Sequence, residues 1–257
     1  MRVEIAGDGT PELAAVACLH GNEICGKTAI ERVLAENPDV ERPVCFVIAN
    51  EEAIAEHVRC IDEDLNRAFP GDPDGNTHES RLAAEMLPHV RDCAVLDLHS
   101  TRSHPKPFGL IAQLNERTKR LACATGTSRV VDVSYIAGGL IDHVDGVAVE
   151  CGLRGTEQAE RNAERILRNF LGVMGALDTL SEAGDPELYR IFDVVEGAGY
   201  EFVGENFVRV ETGTVFARRD DEELRADQSF YPVLMSTDGY KDILGFQAER
   251  VGKLSDV

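Results

Sequence analysis

Four short apolar segments, each followed by a polar residue that could take part in catalysis, constrain the fold more than any other feature of this sequence. The segments span residues 13–19, 43–49, 93–98 and 146–149. Their length and flanks are typical of buried strands. The residues that directly follow them are His20, Asn50, His99 and Glu150. Since open α/β sheets bind ligands beyond the carboxyl ends of their strands, these residues mark a candidate site.

Helical patterns separate the strand segments and predict an α/β fold. Residues 23–35, 77–90 and 156–170 show amphipathic spacing, the last two beginning at Thr77 and Thr156, which we expect to cap them. Strands that alternate with helices predict a largely parallel, mixed sheet with helices on both faces. After about residue 184 the sequence consists of short β-prone segments separated by closely spaced turn signals. We therefore expect an α/β domain at 1–183 and a small β-rich domain at 184–257.

The charge of the chain limits its partners. The formal net charge is −20, and only five of the 26 basic residues are Lys. Nucleic acid and acidic membranes require positive patches, so neither is an expected partner. An acidic, Lys-poor composition in a folded protein is typical of proteins that work in high salt, so we expect a halophilic protein. The alternative is an ordinary acidic protein. The N-terminus does not resemble a signal peptide and no apolar run could span a bilayer, so a cytoplasmic location is expected.

Two of the strand-end motifs together form a candidate metal site. His20 and Glu23, in the sequence HGNE, lie three residues apart at a strand-to-helix turn. Catalytic zinc often takes three His or Glu ligands, and His99 would supply the third. Taken alone, HxxE is a weak signal that is more typical of a solvated turn with a helix-capping Glu, and a single His after a strand is more often a core residue. The seven scattered Cys residues contain no CxxC pair, so a thiolate site is not expected.

A polar, turn-rich segment at residues 59–71 contains two arginines. Arg59 and Arg67 could bind carboxylates or a developing oxyanion, because a guanidinium donates two parallel hydrogen bonds. Without the neighbouring motifs, this segment would be read as a surface loop with ordinary salt bridges.

Four motifs in this order resemble the succinylglutamate desuccinylase/aspartoacylase family, which has the zinc-carboxypeptidase fold. They are HGNE, RCIDEDLNRAFPG, DLHST and VECG. The resemblance implies that a single Zn²⁺ is bound by His20, Glu23 and His99. It also implies that Glu150 is the general base that activates water, and that Arg59 stabilises the oxyanion.

The same resemblance assigns residues to the substrate. Asn66 and Arg67 resemble the pair that holds its carboxylate, and Asp64 resembles the residue that orients a zinc-bound His. A weaker match over residues 231–246 places Tyr240 in a C-terminal domain that caps the active site. Family members selective for N-acetylaspartate have an Arg where this chain has Leu140. Strict preference for a dicarboxylic amino acid is therefore not implied.

Because Leu140 carries no charge, the sequence does not identify the amino acid part of the substrate. Arg102 or Arg154 could bind a second carboxylate instead, or the enzyme could act on a different acyl amino acid. The predicted activity is zinc-dependent hydrolysis of the amide of a small N-acyl amino acid. The alternatives are a carboxypeptidase-type exopeptidase with the same site and a zinc-binding module without catalysis. A homodimer is an open alternative for the assembly.

If the protein is halophilic, its amide hydrolase activity should collapse at low salt and return in molar salt. Salt screens the repulsion among surface carboxylates, with a Debye length of about 3 Å at 1 M. Initial rates on N-acetyl and N-succinyl amino acids across this salt range test the prediction. Full activity at low salt would contradict it.

Overall fold

The computed structural model describes residues 1–136, 138–197, 199–237, 239 and 241–257. Within these residues the helices are α1 (Cys25–Ala35), α2 (Glu51–Ala55), α3 (Leu65–Ala68), α4 (His78–Val90), α5 (Glu116–Ala124) and α6 (Glu157–Val173). The strands are β1 (Arg2–Ala6), β2 (Leu13–Ala17), β3 (Val44–Ile48), β4 (Ala94–Thr101), β5 (Phe108–Ile111), β6 (Arg129–Asp132), β7 (Asp145–Leu153), β8 (Glu187–Glu196), β9 (Glu201–Phe202), β10 (Val215–Arg219), β11 (Glu222–Arg225), β12 (Tyr231–Val233) and β13 (Ile243–Lys253).

Ten of the described strands form one mixed sheet in the order β1-β3-β2-β4-β7-β5-β6-β8-β13-β12. The centre is parallel, since β2 runs parallel to β3 and β4, and β4 runs parallel to β7. Strand β5 is antiparallel to β7, which makes the sheet mixed. Strands β9, β10 and β11 form a separate small antiparallel sheet. The predicted α/β fold class is confirmed.

Helices cover both faces of the sheet, as the alternation of side chains along β2 shows. Leu13, Ala15 and Ala17 pack into a core with α1, α5 and α6. Ala14 and Val16 point the other way, into a core with α3 and α4. A strand buried on both faces must be apolar throughout, which is why it reads as a continuous apolar run. Among the described residues, none of the helices is both long and apolar enough to cross a membrane.

The parallel register at the centre of the sheet determines where the polar residues meet. Ala17 near the end of β2 pairs with Leu98 of β4. His99 then pairs with Glu150 of β7. Both residues lie inside their strands, because β4 and β7 extend beyond the apolar runs that predicted them. Three neighbouring strands therefore bring His20, His99 and Glu150 to one edge.

The C-terminal residues are β-rich, and their described strands divide between two sheets: β9, β10 and β11 form the small sheet, whereas β8, β12 and β13 belong to the main sheet. Strand β8 continues the main sheet in parallel with β6, and β13 and β12 follow it. The sequence could not predict this pairing, because it joins strands that are far apart in the chain. The division of the chain into domains at residue 184 stays a prediction.

We expect the core between the sheet and α6 to dominate stability. Ile166 is fully buried there, whereas Ile5 on the edge strand β1 is 56% exposed. Ile166→Ala should lower the free energy of unfolding by about 2–5 kcal/mol, since it leaves a cavity. The matched Ile5→Ala change should cost less than about 1 kcal/mol. Urea denaturation measures both, and equal losses would contradict the proposed packing.

Candidate metal centre and active site

The turn after β2 presents His20 and Glu23 to the same point. Cys18 has a φ of 60°, in the left-handed region, which bends the chain out of the strand. A Cβ at Gly21 would lie 2.3 Å from the carbonyl carbon of Ala53, so only glycine fits there. The Gly21 amide donates to the Arg59 carbonyl at 3.0 Å, which brings the 59–71 segment to the turn.

The side chains of His20, Glu23 and His99 converge in a buried cluster. Their potential ligand atoms all lie within 4.8 Å of one another. His20 Nδ1 is 3.0 Å from Glu23 Oε1, and His99 Nδ1 is 3.1 Å from Glu23 Oε2. Each of the three residues is at most 5% exposed. The structure thus brings together the three residues predicted to bind metal.

A carboxylate holds the outer nitrogen of each imidazole. Asp64 Oδ1 lies 2.9 Å from His20 Nε2, and Asp97 Oδ2 lies 2.8 Å from His99 Nε2. Imidazoles that bind metals almost always have such a partner on their other nitrogen, which fixes the tautomer and the ring orientation. Both Nδ1 atoms are therefore the ones directed at the centre of the cluster.

The sequence interpretation missed Asp97, although it lies in the DLHST motif. Residues two apart on a strand share a face, and this spacing places the Asp97 carboxylate beside the His99 ring. An Asp at position i−2 from a strand His could have indicated the contact. Asp97 is 1% exposed, and burial of that kind is not visible in the sequence.

Arg59 connects the His20, Glu23 and His99 cluster to Asp64 in the 59–71 segment. Its guanidinium donates to Glu23 Oε1 at 3.1 Å and to Asp64 Oδ2 at 2.8 Å. Burial opposes the charge on Glu23, but His20 and His99 hold the pKa of its carboxyl well below the usual range. Glu23 is therefore an anion that bridges two imidazoles and a guanidinium.

Glu150 is a second carboxyl group beside the cluster. Burial and, after it, the negative charge of Glu23 raise the pKa of Glu150 to about 7. Its Oε2 atom is buried and has no hydrogen-bond partner among the described residues. The carboxylates of Glu23 and Glu150 repel each other unless a proton or a cation lies nearby.

Asn66 and Arg67 follow Asp64, which caps α3 by accepting a hydrogen bond from the Asn66 amide. Asn66 Oδ1 accepts from the Leu140 amide at 3.1 Å. The Arg67 guanidinium donates to the Gly138 carbonyl. These contacts hold the two side chains beside the cluster, on the wall of a cavity. Tyr240 lies outside the described residues.

Two cavities meet at the cluster, and His20, Arg59, Glu150 and Leu234 line both. The larger, of about 320 Å³, is here called the polar pocket. Its other lining residues are Asn22, Glu23, Ser100, Thr101, Arg102, Arg154, Ser236 and Gly239. The smaller, of about 140 Å³, is here called the apolar pocket and contains Asn66 and Arg67. Residues from the C-terminal part of the chain therefore line the site.

The donor set fits a zinc ion. Two imidazoles and one carboxylate are a known ligand set for catalytic zinc. His20 Nδ1 is buried and forms no hydrogen bond among the described residues, although Glu23 Oε1 lies 3.0 Å away, so a cation would satisfy it. A divalent charge would also offset the repulsion between Glu23 and Glu150.

Comparison with family models finds similarity to a known catalytic domain. The succinylglutamate desuccinylase/aspartoacylase catalytic domain matches residues 9–134. No curated protein sequence matches the chain.

Solved structures share the fold over nearly the whole chain. A succinylglutamate desuccinylase/aspartoacylase from Rhodobacter sphaeroides has a TM-score of 0.77 at 20% identity, covering 97% of this chain and 89% of that one. The product-bound ectoine utilization protein EutE (DoeB) from Ruegeria pomeroyi has a TM-score of 0.77 at 22% identity, with 96% and 87% covered. Murine aminoacylase 3 has a TM-score of 0.71 at 18% identity, with 96% and 98% covered.

We expect the cluster to bind one zinc ion per chain. His20→Ala and His99→Ala should each abolish stoichiometric zinc, because two ligands remain. Asp64→Asn should retain zinc with an affinity about 10–100-fold weaker, the usual effect of losing a carboxylate behind a metal-binding His. His89→Ala, on the exposed part of α4, is the matched control. Metal analysis and competition with a chelator measure these changes, and full zinc content in His99→Ala would contradict the assignment.

Proposed function

Because this chain belongs to the succinylglutamate desuccinylase/aspartoacylase family through the catalytic domain at residues 9–134, we propose that it hydrolyses the amide bond of an N-acyl amino acid in a zinc-dependent reaction. The observation that carries the proposal is the convergence of His20, Glu23 and His99 within 4.8 Å, with Glu150 beside them. A donor set of this kind binds zinc, and an adjacent carboxyl group can transfer protons.

When bound, zinc supplies Lewis acidity, which activates water as a nucleophile and polarises the amide carbonyl. His20, Glu23 and His99 would hold it. Asp64 and Asp97 fix the two imidazole rings, so both Nδ1 atoms stay directed at one point. This arrangement needs little reorganisation when substrate binds, which lowers the barrier.

Glu150 is the proposed general base. It pairs with His99 across β4 and β7, so its carboxyl group lies beside the cluster on a rigid element. From there it can take a proton from the attacking water and deliver it to the leaving nitrogen. Both the polar and the apolar pocket open onto Glu150, so a substrate that spans them presents its amide bond to this carboxyl group.

The arginines have separate proposed roles. Arg59 lines both pockets at the cluster, where a guanidinium would stabilise negative charge on the carbonyl oxygen. Arg67, with Asn66, lines only the apolar pocket, where it would bind the substrate carboxylate through a planar pair of N–H groups. The partner is accordingly a small N-acyl amino acid.

Replacing Glu150 by Gln should separate catalysis from metal binding. We expect Glu150→Gln to keep its zinc and to lose at least about 100-fold in kcat, because Gln cannot accept a proton. Steady-state kinetics on N-acetyl amino acids, with metal analysis of the same samples, measures both. Near-normal turnover in this variant would overturn the mechanism.

The same assay distinguishes the exopeptidase alternative. A deacylase should release free amino acid from N-acyl amino acids and not from unmodified dipeptides. Efficient cleavage of unmodified dipeptides would instead assign the site to a carboxypeptidase-type reaction.

A further inference from the structure

The apolar pocket has a hydrophobic wall in addition to its polar lining residues. Its apolar lining residues come from β5, the segment between β6 and β7, β7, the residue after β12, and β13. They are Leu110, Val133, Ile136, Ile141, Ala148, Leu234 and Phe246. Val133, Leu234 and Phe246 belong to one buried cluster, against which Leu110, Ile136 and Ile141 pack. The wall is thus the side of a packed core that faces the pocket, and not a set of isolated side chains.

Several charged groups around this pocket have hydrogen-bond partners within the protein. Asp64 and Asp97 contact the two imidazoles. Asp142 accepts hydrogen bonds from the amides of Gly138 and Gly139, both at 2.8 Å. Among the described lining residues, Arg59 and Arg67 are the only arginines or lysines. Arg59 lies at the cluster itself, which leaves Arg67 as the cation placed for a substrate carboxylate.

Leu140 does not form part of the wall. Its side chain is fully buried on the opposite side of the loop, in the core with α3 and α4. The neighbouring Ile141 lines the pocket instead. The loop therefore presents an aliphatic side chain and the Asp142 carboxylate to this pocket.

The pocket has the size of one medium apolar side chain. Its volume is about 140 Å³. A cavity of about 150 Å³ lined by Leu, Ile and Phe in another protein binds benzene. A branched aliphatic group or a phenyl ring therefore fits here.

We propose that the apolar pocket selects an N-acyl amino acid whose side chain is uncharged and apolar, such as leucine or phenylalanine. The inference rests on the proposed function, because Arg67 then binds the α-carboxylate and directs the side chain at the wall. The acyl group extends into the polar pocket. A carboxylate side chain would be desolvated against the aliphatic wall and repelled by Asp142, which disfavours aspartate and glutamate substrates.

The test compares substrates that share the acetyl group and differ only in the amino acid. We expect kcat/KM for N-acetyl-leucine or N-acetyl-phenylalanine to exceed that for N-acetylaspartate by at least about 100-fold. Equal or higher values for N-acetylaspartate would overturn the inference while leaving the proposed function intact. Preference for N-acetyl-lysine would also overturn it and would indicate pairing with Asp142.

A binding experiment keeps the inference testable if no N-acyl amino acid is hydrolysed. In zinc-loaded Glu150→Gln, calorimetry should give a Kd for N-acetyl-leucine at least about 100-fold lower than for N-acetylaspartate. Ile141→Arg should reduce that ratio by at least about 10-fold, since it adds a cation for the second carboxylate. Ile5→Arg makes the same change on an exposed strand and should leave the ratio unaltered. If the Kd ratio is as expected but no substrate is hydrolysed, only the proposed hydrolase function is contradicted. An unchanged Kd ratio in Ile141→Arg would contradict the proposed selectivity of the apolar pocket.

Discussion

The site depends on one buried carboxylate, that of Glu23, held between two imidazoles. Its two oxygens lie 3.0 Å from His20 Nδ1 and 3.1 Å from His99 Nδ1. The Ser100 amide and the Arg59 guanidinium also donate to it. A buried anion is unfavourable unless it is neutralised by such contacts, so the turn after β2 and the end of β4 must fold together. The same contacts assemble a His, Glu, His set ready for a divalent cation.

The parallel sheet supplies the precision that this arrangement needs. His99 and Glu150 pair across β4 and β7, and β2 delivers the turn with His20 from the other side. Side chains on strands are held more rigidly than side chains on loops, which suits groups that must keep a fixed separation. The substrate pockets, in contrast, include loop residues and Leu234 from the C-terminal part of the chain. His99 and Glu150 thus lie on strands, His20 and Glu23 lie on the turn that follows β2, and the pocket lining combines strands with loops.

The sequence predicted the central fold and the convergence of His20, Glu23 and His99 because both depend on local pattern. The apolar runs at 13–19 and 43–49 predicted β2 and β3 to within two residues at each end. The four ordered motifs contained His20, His99 and Glu150. Long-range pairing was out of reach: nothing local indicates that β8 joins β6, or that Asp97 is buried against His99. The lining of the apolar pocket was likewise invisible, since adjacent residues Leu140 and Ile141 face opposite sides of one loop. The halophilic character that the composition indicates stays a prediction.

The central claim is that zinc lies between His20, Glu23 and His99 and is bound through Nδ1 of both histidines. Anomalous diffraction at the zinc absorption edge, from crystals of the zinc-loaded protein, tests it most directly. The account predicts one strong peak about 2.0–2.1 Å from both Nδ1 atoms and within about 2.2 Å of a Glu23 oxygen. A peak coordinated by Nε2 of either histidine, or one located away from Glu23, would contradict it.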